Sequence, residues 1–258
     1  SVISSPRNRT DPCDACAINA QCNITAAGTA SCTCLAGLSD HSNFYGAPNG
    51  TICTACDSAD ADVVIVYDSS GSVGDENIPK MTKFAKSLID LFDVDTTDNR
   101  VAVVRFASDY EILFGLNTTE SEAFKALDTI KNSSGSTNTQ GALGLVNKIF
   151  NESYQDDENK RRIVFVLTDG PASNCQGGKQ EEEDTLSCIV REVTEQANIT
   201  KDTYEARVVT VFIADPKETK ANSIMYAMSD PDDIIQVDNF DALTADVNER
   251  IQSLACGV

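Results

Sequence analysis

The chain has 258 residues, with 40 acidic and 20 basic side chains and a net charge of −20. Such a surface repels nucleic acid and anionic membranes and argues against both as partners. No apolar run approaches the ~18 residues of a membrane span, so direct membrane contact is not expected within this stretch.

The acidity is uneven. Two basic and three acidic residues precede Cys56, which leaves 18 and 37 for the remainder. Ten cysteines fit an oxidising compartment. N-x-Ser/Thr sequons at Asn8, Asn23, Asn49, Asn117, Asn132, Asn151 and Asn198 are glycosylation candidates and point the same way. The chain opens without Met or a signal-like segment and reads as a fragment or mature segment. The expectation is a secreted protein or the extracellular part of a membrane protein.

Residues 1–12 are polar, carry Pro6 and Pro12, and read as a linker. Residues 13–55 are Cys-dense and too short to bury much core, so disulfides must supply the stability. The spacing of Cys13, Cys16, Cys22, Cys32, Cys34 and Cys53 is similar to an EGF-like domain. Asn19-Ala20-Gln21-Cys22 and Cys32-Thr33-Cys34-Leu35-Ala36-Gly37 carry that likeness. Six cysteines allow many connectivities. The resemblance implies Cys13–Cys22, Cys16–Cys32 and Cys34–Cys53, with Cys56 an alternative to Cys53 across the long last gap. Only Asp11-Pro12 precedes Cys13, so no calcium site is expected there. His41 lies in a polar loop and is expected to be exposed rather than a zinc ligand.

From residue 60 the pattern alternates. Residues 63–67 are a continuous apolar, β-branched run, as in a strand buried on both faces of a parallel sheet. Asp68-Ser69-Ser70-Gly71-Ser72 follows where the strand stops, and Gly71 permits a sharp turn. Ile78, Met81, Phe84, Leu88 and Leu91 recur at helical spacing. Residues 101–107 and 112–116 read as strands, joined through Ser108-Asp109-Tyr110. The small polar loop 135–143 opens a helical pattern with Leu143, Val146, Ile149 and Phe150 on one face. Residues 163–167 form a second buried-type strand, running into Thr168-Asp169-Gly170. Leu186, Ile189, Val190, Val193 and Ala197 mark another helix, and strands are expected at 208–214 and 234–237. Phe240, Leu243, Val247, Ile251 and Leu254 give a final helix capped by Asn239 or Asp241. This alternation argues an α/β fold: a Rossmann-like, doubly wound, mostly parallel sheet flanked by helices. Its connections would gather the motif loops at one edge.

Oxygen side chains at alternate positions 68, 70 and 72 can converge on one point in such a loop. They are hard donors, suited to Mg²⁺, Mn²⁺ or Ca²⁺. One carboxylate does not neutralise a dication, and Asp169 stands at the end of another strand. The D-x-S-x-S at 68–72, the Gly135-Ser136-Thr137-Asn138-Thr139 loop and Thr168-Asp169-Gly170 together resemble a von Willebrand factor A-type domain with a metal-ion-dependent adhesion site. The resemblance covers about residues 60–256, within a domain read as 56–258. It implies that Asp68, Ser70, Ser72, Thr137 and Asp169 form the shell of a Mg²⁺ (or Mn²⁺/Ca²⁺) ion, with Thr137 rather than Thr139 as the family's threonine. It further implies an extracellular protein ligand that presents Asp or Glu to the metal. In such a domain the chain ends lie close together, which implies a Cys56–Cys256 bridge. Cysteine arithmetic leaves Cys175 to pair with Cys188.

Catalysis is the rival class, and the residues argue against it. Asp68-Ser69-Ser70 lacks the second acid of a D-x-D pattern, and no G-x-x-x-x-G-K-S/T loop exists to cradle phosphates. The single histidine, His41, belongs to the other module, so the serines have no imidazole base of their own. The expectation is adhesion and not enzymatic activity. The alternative is a structural matrix module whose metal site is mainly stabilising.

Overall fold

The computed structural model describes residues 12–18, 20–35, 39–40, 42, 48–51, 53–54, 60–95, 97–154, 160–173, 175–176, 183–214 and 219–256. The small N-terminal module holds a hairpin of β1 (Ala20–Ile24) and β2 (Ala30–Cys34), with Cys22 opposite Cys32. A second pair joins β3 (Ser39–Asp40) to β4 (Cys53–Thr54). No residue of the hairpin is fully buried. Bridges Cys13–Cys22, Cys16–Cys32 and Cys34–Cys53 take the place of a core. Asn8, His41, Cys56 and the side chain of Cys256 lie outside the described residues, and with them the expected Cys56–Cys256 bridge.

Gly50 is the crossing point of this module. Its φ of 73° is left-handed, and a Cβ there would stand 2.5 Å from the Cys32 carbonyl carbon. Its N–H donates to Asp40 Oδ2 at 2.7 Å, and its carbonyl accepts from Ala17 N at 3.0 Å. Gly50→Ala therefore combines backbone strain with a clash against backbone, which cannot swing aside. The expected result is scrambled pairing of Cys16 and Cys32, read by disulfide mapping of the secreted product.

The larger domain is built on a six-stranded sheet in the order β10-β9-β8-β5-β6-β7. The strands are β5 (Ala61–Asp68), β6 (Arg100–Phe106), β7 (Tyr110–Phe114), β8 (Arg161–Thr168), β9 (Arg207–Ile213) and β10 (Ile234–Val237). All neighbours pair in parallel except β6 and β7. Among the described residues, six α-helices accompany them: α1 (Ile78–Phe92), α2 (Glu120–Leu127), α3 (Thr139–Tyr154), α4 (Thr185–Asn198), α5 (Thr219–Met228) and α6 (Ala245–Cys256).

Strand β5 is central and buried along its whole length. Its Val63, Ile65 and Tyr67 face a cluster with Met81, Phe84 and Leu88 of α1 and Ile251 of α6. Its Val64 and Val66 face Leu143 and Val146 of α3 and Val193 of α4. The alternation of these contacts explains why the strand is apolar at every position.

The structure shifts some expected boundaries. Strand β7 begins at Tyr110 rather than 112, because Ala107 N–H already closes the turn on Asp109 O at 2.8 Å. The last helical pattern is broken: a 3₁₀ turn at Phe240–Ala242 precedes α6, and Asn239, not Asp241, caps that turn. The sequence reading missed α2 and α5. For α2 a signal existed, since Thr119 and Glu122 form a reciprocal capping box.

From β5 the chain proceeds to β6 on one side and later to β8 on the other. The carboxyl end of β5 is thus a topological switch point, where open α/β sheets hold their ligands.

Candidate metal site

Strands β5 and β8 run in register, with Tyr67 opposite Leu167. Asp68 therefore lies level with Thr168, and Asp169 stands one residue further on. The two carboxylates reach the same pole from adjacent strands.

Asp68 is fully buried. Its Oδ1 accepts from Ser70 N at 2.8 Å, and its Oδ2 accepts from the Thr168 hydroxyl at 2.6 Å. Ser70 and Ser72 Oγ atoms lie 3.1 Å apart, and Ser72 Oγ donates to Asp169 Oδ1 at 2.7 Å. Asp68, Ser70, Ser72 and Asp169 are thus linked by one run of hydrogen bonds, the first through the Ser70 backbone N–H. Burial pushes the Asp68 carboxyl up to about 6; the Thr168 and Ser70 hydrogen bonds oppose this, and the nearby Asp169 charge adds to it. Asp169 is also raised, chiefly by burial, with the Ser72 bond opposing.

Thr137 sits in the loop 132–137, which is stitched to both other loops. Gly71 N–H donates to Gly135 O at 2.9 Å, and Ser133 N–H donates to Ser69 O at 2.8 Å. On the other side Thr137 N–H donates to Ser173 Oγ, and Ser173 N–H returns to Thr137 O, both at 2.9 Å. Among the described residues, none hydrogen-bonds the Thr137 hydroxyl. Thr139 is instead the first residue of α3.

Several supporting residues escaped the sequence reading. Arg105 projects from β6 behind the loop, with Nη1 at 3.2 Å from Ser69 Oγ and 2.9 Å from Ser133 Oγ. It is anchored by Glu111 and Asp109. A lone arginine inside an apolar strand was the available signal. Asn132 donates to Ser70 O at 2.8 Å, and Thr168 adjoins Asp169 in a motif already noted.

A second cluster brings Cys175, Cys188 and Glu192 together. The two sulfurs are joined as a disulfide and offer no thiolates to a metal. Gln176 N–H instead donates to Glu192 Oε2 at 2.8 Å, so this bridge ties the loop after Asp169 to α4.

A family model, von Willebrand factor type A domain, matches residues 62–250. The mouse collagen alpha-5(VI) chain is 34% identical over 125 residues, 48% of this chain and 5% of that protein. The transmembrane cell adhesion receptor mua-3 of Caenorhabditis elegans is 24% identical over 251 residues, 93% of this chain and 6% of the receptor. Mouse vitrin is 30% identical over 113 residues, 43% of this chain and 17% of vitrin. The chain thus spans a small part of these relatives. Among solved structures, proximal thread matrix protein 1 from the mussel byssus matches with a TM-score of 0.61 at 21% identity, over 77% of this chain and 49% of the other. A further structure of that mussel protein, TM-score 0.61 and 20% identical over 77% of this chain and 48% of its own, is described as having a zinc-occupied metal-ion-dependent adhesion site.

Proposed function

The chain belongs to the von Willebrand factor type A domain family, and on that footing we propose that it is a divalent-cation-dependent adhesion module of the extracellular space. Asp68, Ser70, Ser72, Thr137 and Asp169 hold the ion. The observation that carries this reading is the continuous run of hydrogen bonds that links Asp68, Ser70, Ser72 and Asp169 at the switch point. The donor set fits: it is all oxygen, it contains two carboxylates, and burial of Asp68 leaves a charge that a cation would compensate. Such donors favour Mg²⁺, Mn²⁺ or Ca²⁺ over a thiophilic metal. The zinc-occupied site of the mussel structure supports a dication at this place in the fold.

When bound, the ion supplies a Lewis-acid position that an Asp or Glu carboxylate of a protein ligand completes. The protein's own part is positional. Thr168 and Ser70 N–H fix the Asp68 carboxylate, Ser72 orients Asp169, and Arg105 braces the loop between Ser69 and Ser133. The disulfides and the matrix and adhesion relatives agree with a location outside the cell. Residues 13–55 serve as an EGF-like spacer ahead of the A-type domain at 56–258.

Calorimetric titration of Mg²⁺ and Mn²⁺ into chelator-stripped protein tests the site. Saturable binding is expected. Asp169→Ala should weaken it by at least the roughly 10–100-fold that loss of even an outer partner causes. Equal binding in the variant would reject the assignment. The collagen relatives favour a second reading, a matrix module whose ion only stabilises. That reading wins if the ion raises the melting temperature but no carboxylate-bearing protein binds.

A further inference from the structure

We propose that Asn117, Asn151 and Asn198 carry N-linked glycans at the pole opposite the metal site, while the sequon at Asn132 stays bare. The parallel strands end at the metal pole, and α3 and α4 start there and run back. Asn151 lies in the last turn of α3, and Asn198 is the last residue of α4. Strand β7 runs antiparallel to β6, so Asn117, three residues beyond its end, lies at the same far pole. There it borders a depression with Arg100, the first residue of β6, and Glu152 and Ser153 of the Asn151 sequon. A second depression beside it includes Asp98, Asn99 and Lys160. These hollows of ≈440 and ≈460 Å³ leave room for a stem sugar against the protein.

All three asparagines are exposed, and among the described residues none hydrogen-bonds their side-chain amides. Asn132 is different. It is half-buried, and both ends of its amide are in use. Its Nδ2 donates to Ser70 O at 2.8 Å, and its Oδ1 accepts from Ser134 N at 2.8 Å. The first bond holds the loop that carries Ser70 and Ser72, and the second shapes the turn at 132–134. A sugar on Nδ2 would replace one of its two protons and stand between that loop and 132–134. Asn23 and Asn49 are exposed on the small module and lie outside this comparison.

The modification is a group transfer. The amide Nδ2 attacks the anomeric carbon of a lipid-diphosphate-linked oligosaccharide. The C1–N bond forms, the C1–O bond to the diphosphate breaks, the amide gives up one proton, and the lipid diphosphate departs. The consequence is spatial: carbohydrate covers the far pole and leaves the metal pole open to a partner.

The test is an occupancy map of protein secreted from a glycosylating host. Peptide N-glycosidase in heavy-oxygen water converts each glycosylated asparagine to a labelled aspartate, which peptide mass spectrometry locates. The expected map labels Asn117, Asn151 and Asn198 and leaves Asn132 unlabelled. Label at Asn132, or an unlabelled Asn117, Asn151 or Asn198, overturns the proposal. The map needs no metal binding, so its outcome is independent of the adhesion reading.

Discussion

Asp68→Asn is expected to stabilise the metal-free protein at neutral pH and to abolish its response to Mg²⁺. The physical basis is a fully buried carboxylate whose folded-state pKa is raised from 3.8 to about 6. A raised carboxyl pKa means that the folded state binds the proton more tightly than the unfolded chain. Metal-free stability should then rise as pH falls from about 6 toward 4, and the ionised group should cost roughly 3 kcal/mol above that window. Asparagine removes the charge and keeps the shape. Its Oδ1 can still accept from Ser70 N, and the Thr168 hydroxyl can turn fully to Gly170 O, already 3.0 Å away. Thermal melts of stripped wild type and variant should therefore diverge at pH 7 and converge near pH 4. Added Mg²⁺ should lift only the wild type, with an apparent affinity that weakens below about pH 6 as protons compete. A variant that melts lower than stripped wild type at pH 7, or that still responds to Mg²⁺, would count against a compensating ion at Asp68.

That prediction turns on residues with unequal visibility in the sequence. Strand β5 was legible because a strand buried on both faces must be apolar throughout, and 63–67 are. The Asp68 loop was legible because its oxygens are local to one another. The brace around it was not, because its members meet only through the fold. Thr168 and Asp68 are 100 residues apart, Asn132 and Ser70 are 62 apart, and Arg105 and Ser133 are 28 apart. No periodicity encodes such pairs. Asn132 shows the cost of reading locally: its sequon suggested only a glycan, whereas its amide ties down the Ser70 loop. Helix α5 was missed for another reason. Its buried Ile224, Met225 and Met228 form too brief a pattern to separate from a loop.

Arg100→Met is expected to destabilise the larger domain by roughly 3–5 kcal/mol without altering metal affinity. Asp62 is fully buried near the start of β5, and Arg100 opposes it on β6. The guanidinium binds both carboxylate oxygens, with Nε at 2.7 Å from Oδ1 and Nη2 at 2.8 Å from Oδ2. Removing the arginine strands a charge in the sheet, and the cost is that of an uncompensated carboxylate rather than the net worth of the pair. The double variant Arg100→Met with Asp62→Asn removes that charge and should recover most of the loss. Arg100→Lys should fall between, since an ammonium cannot reproduce the two-pronged contact. Urea unfolding of the three variants at constant slope measures the differences. The pair lies at the pole opposite Asp68, so calorimetric Mg²⁺ binding should be unchanged while the protein remains folded. A single variant within about 1 kcal/mol of wild type would show that Asp62 finds water or another partner once Arg100 is gone. A loss of Mg²⁺ affinity in the folded variant would instead mean that the sheet transmits strain from one pole to the other along β5.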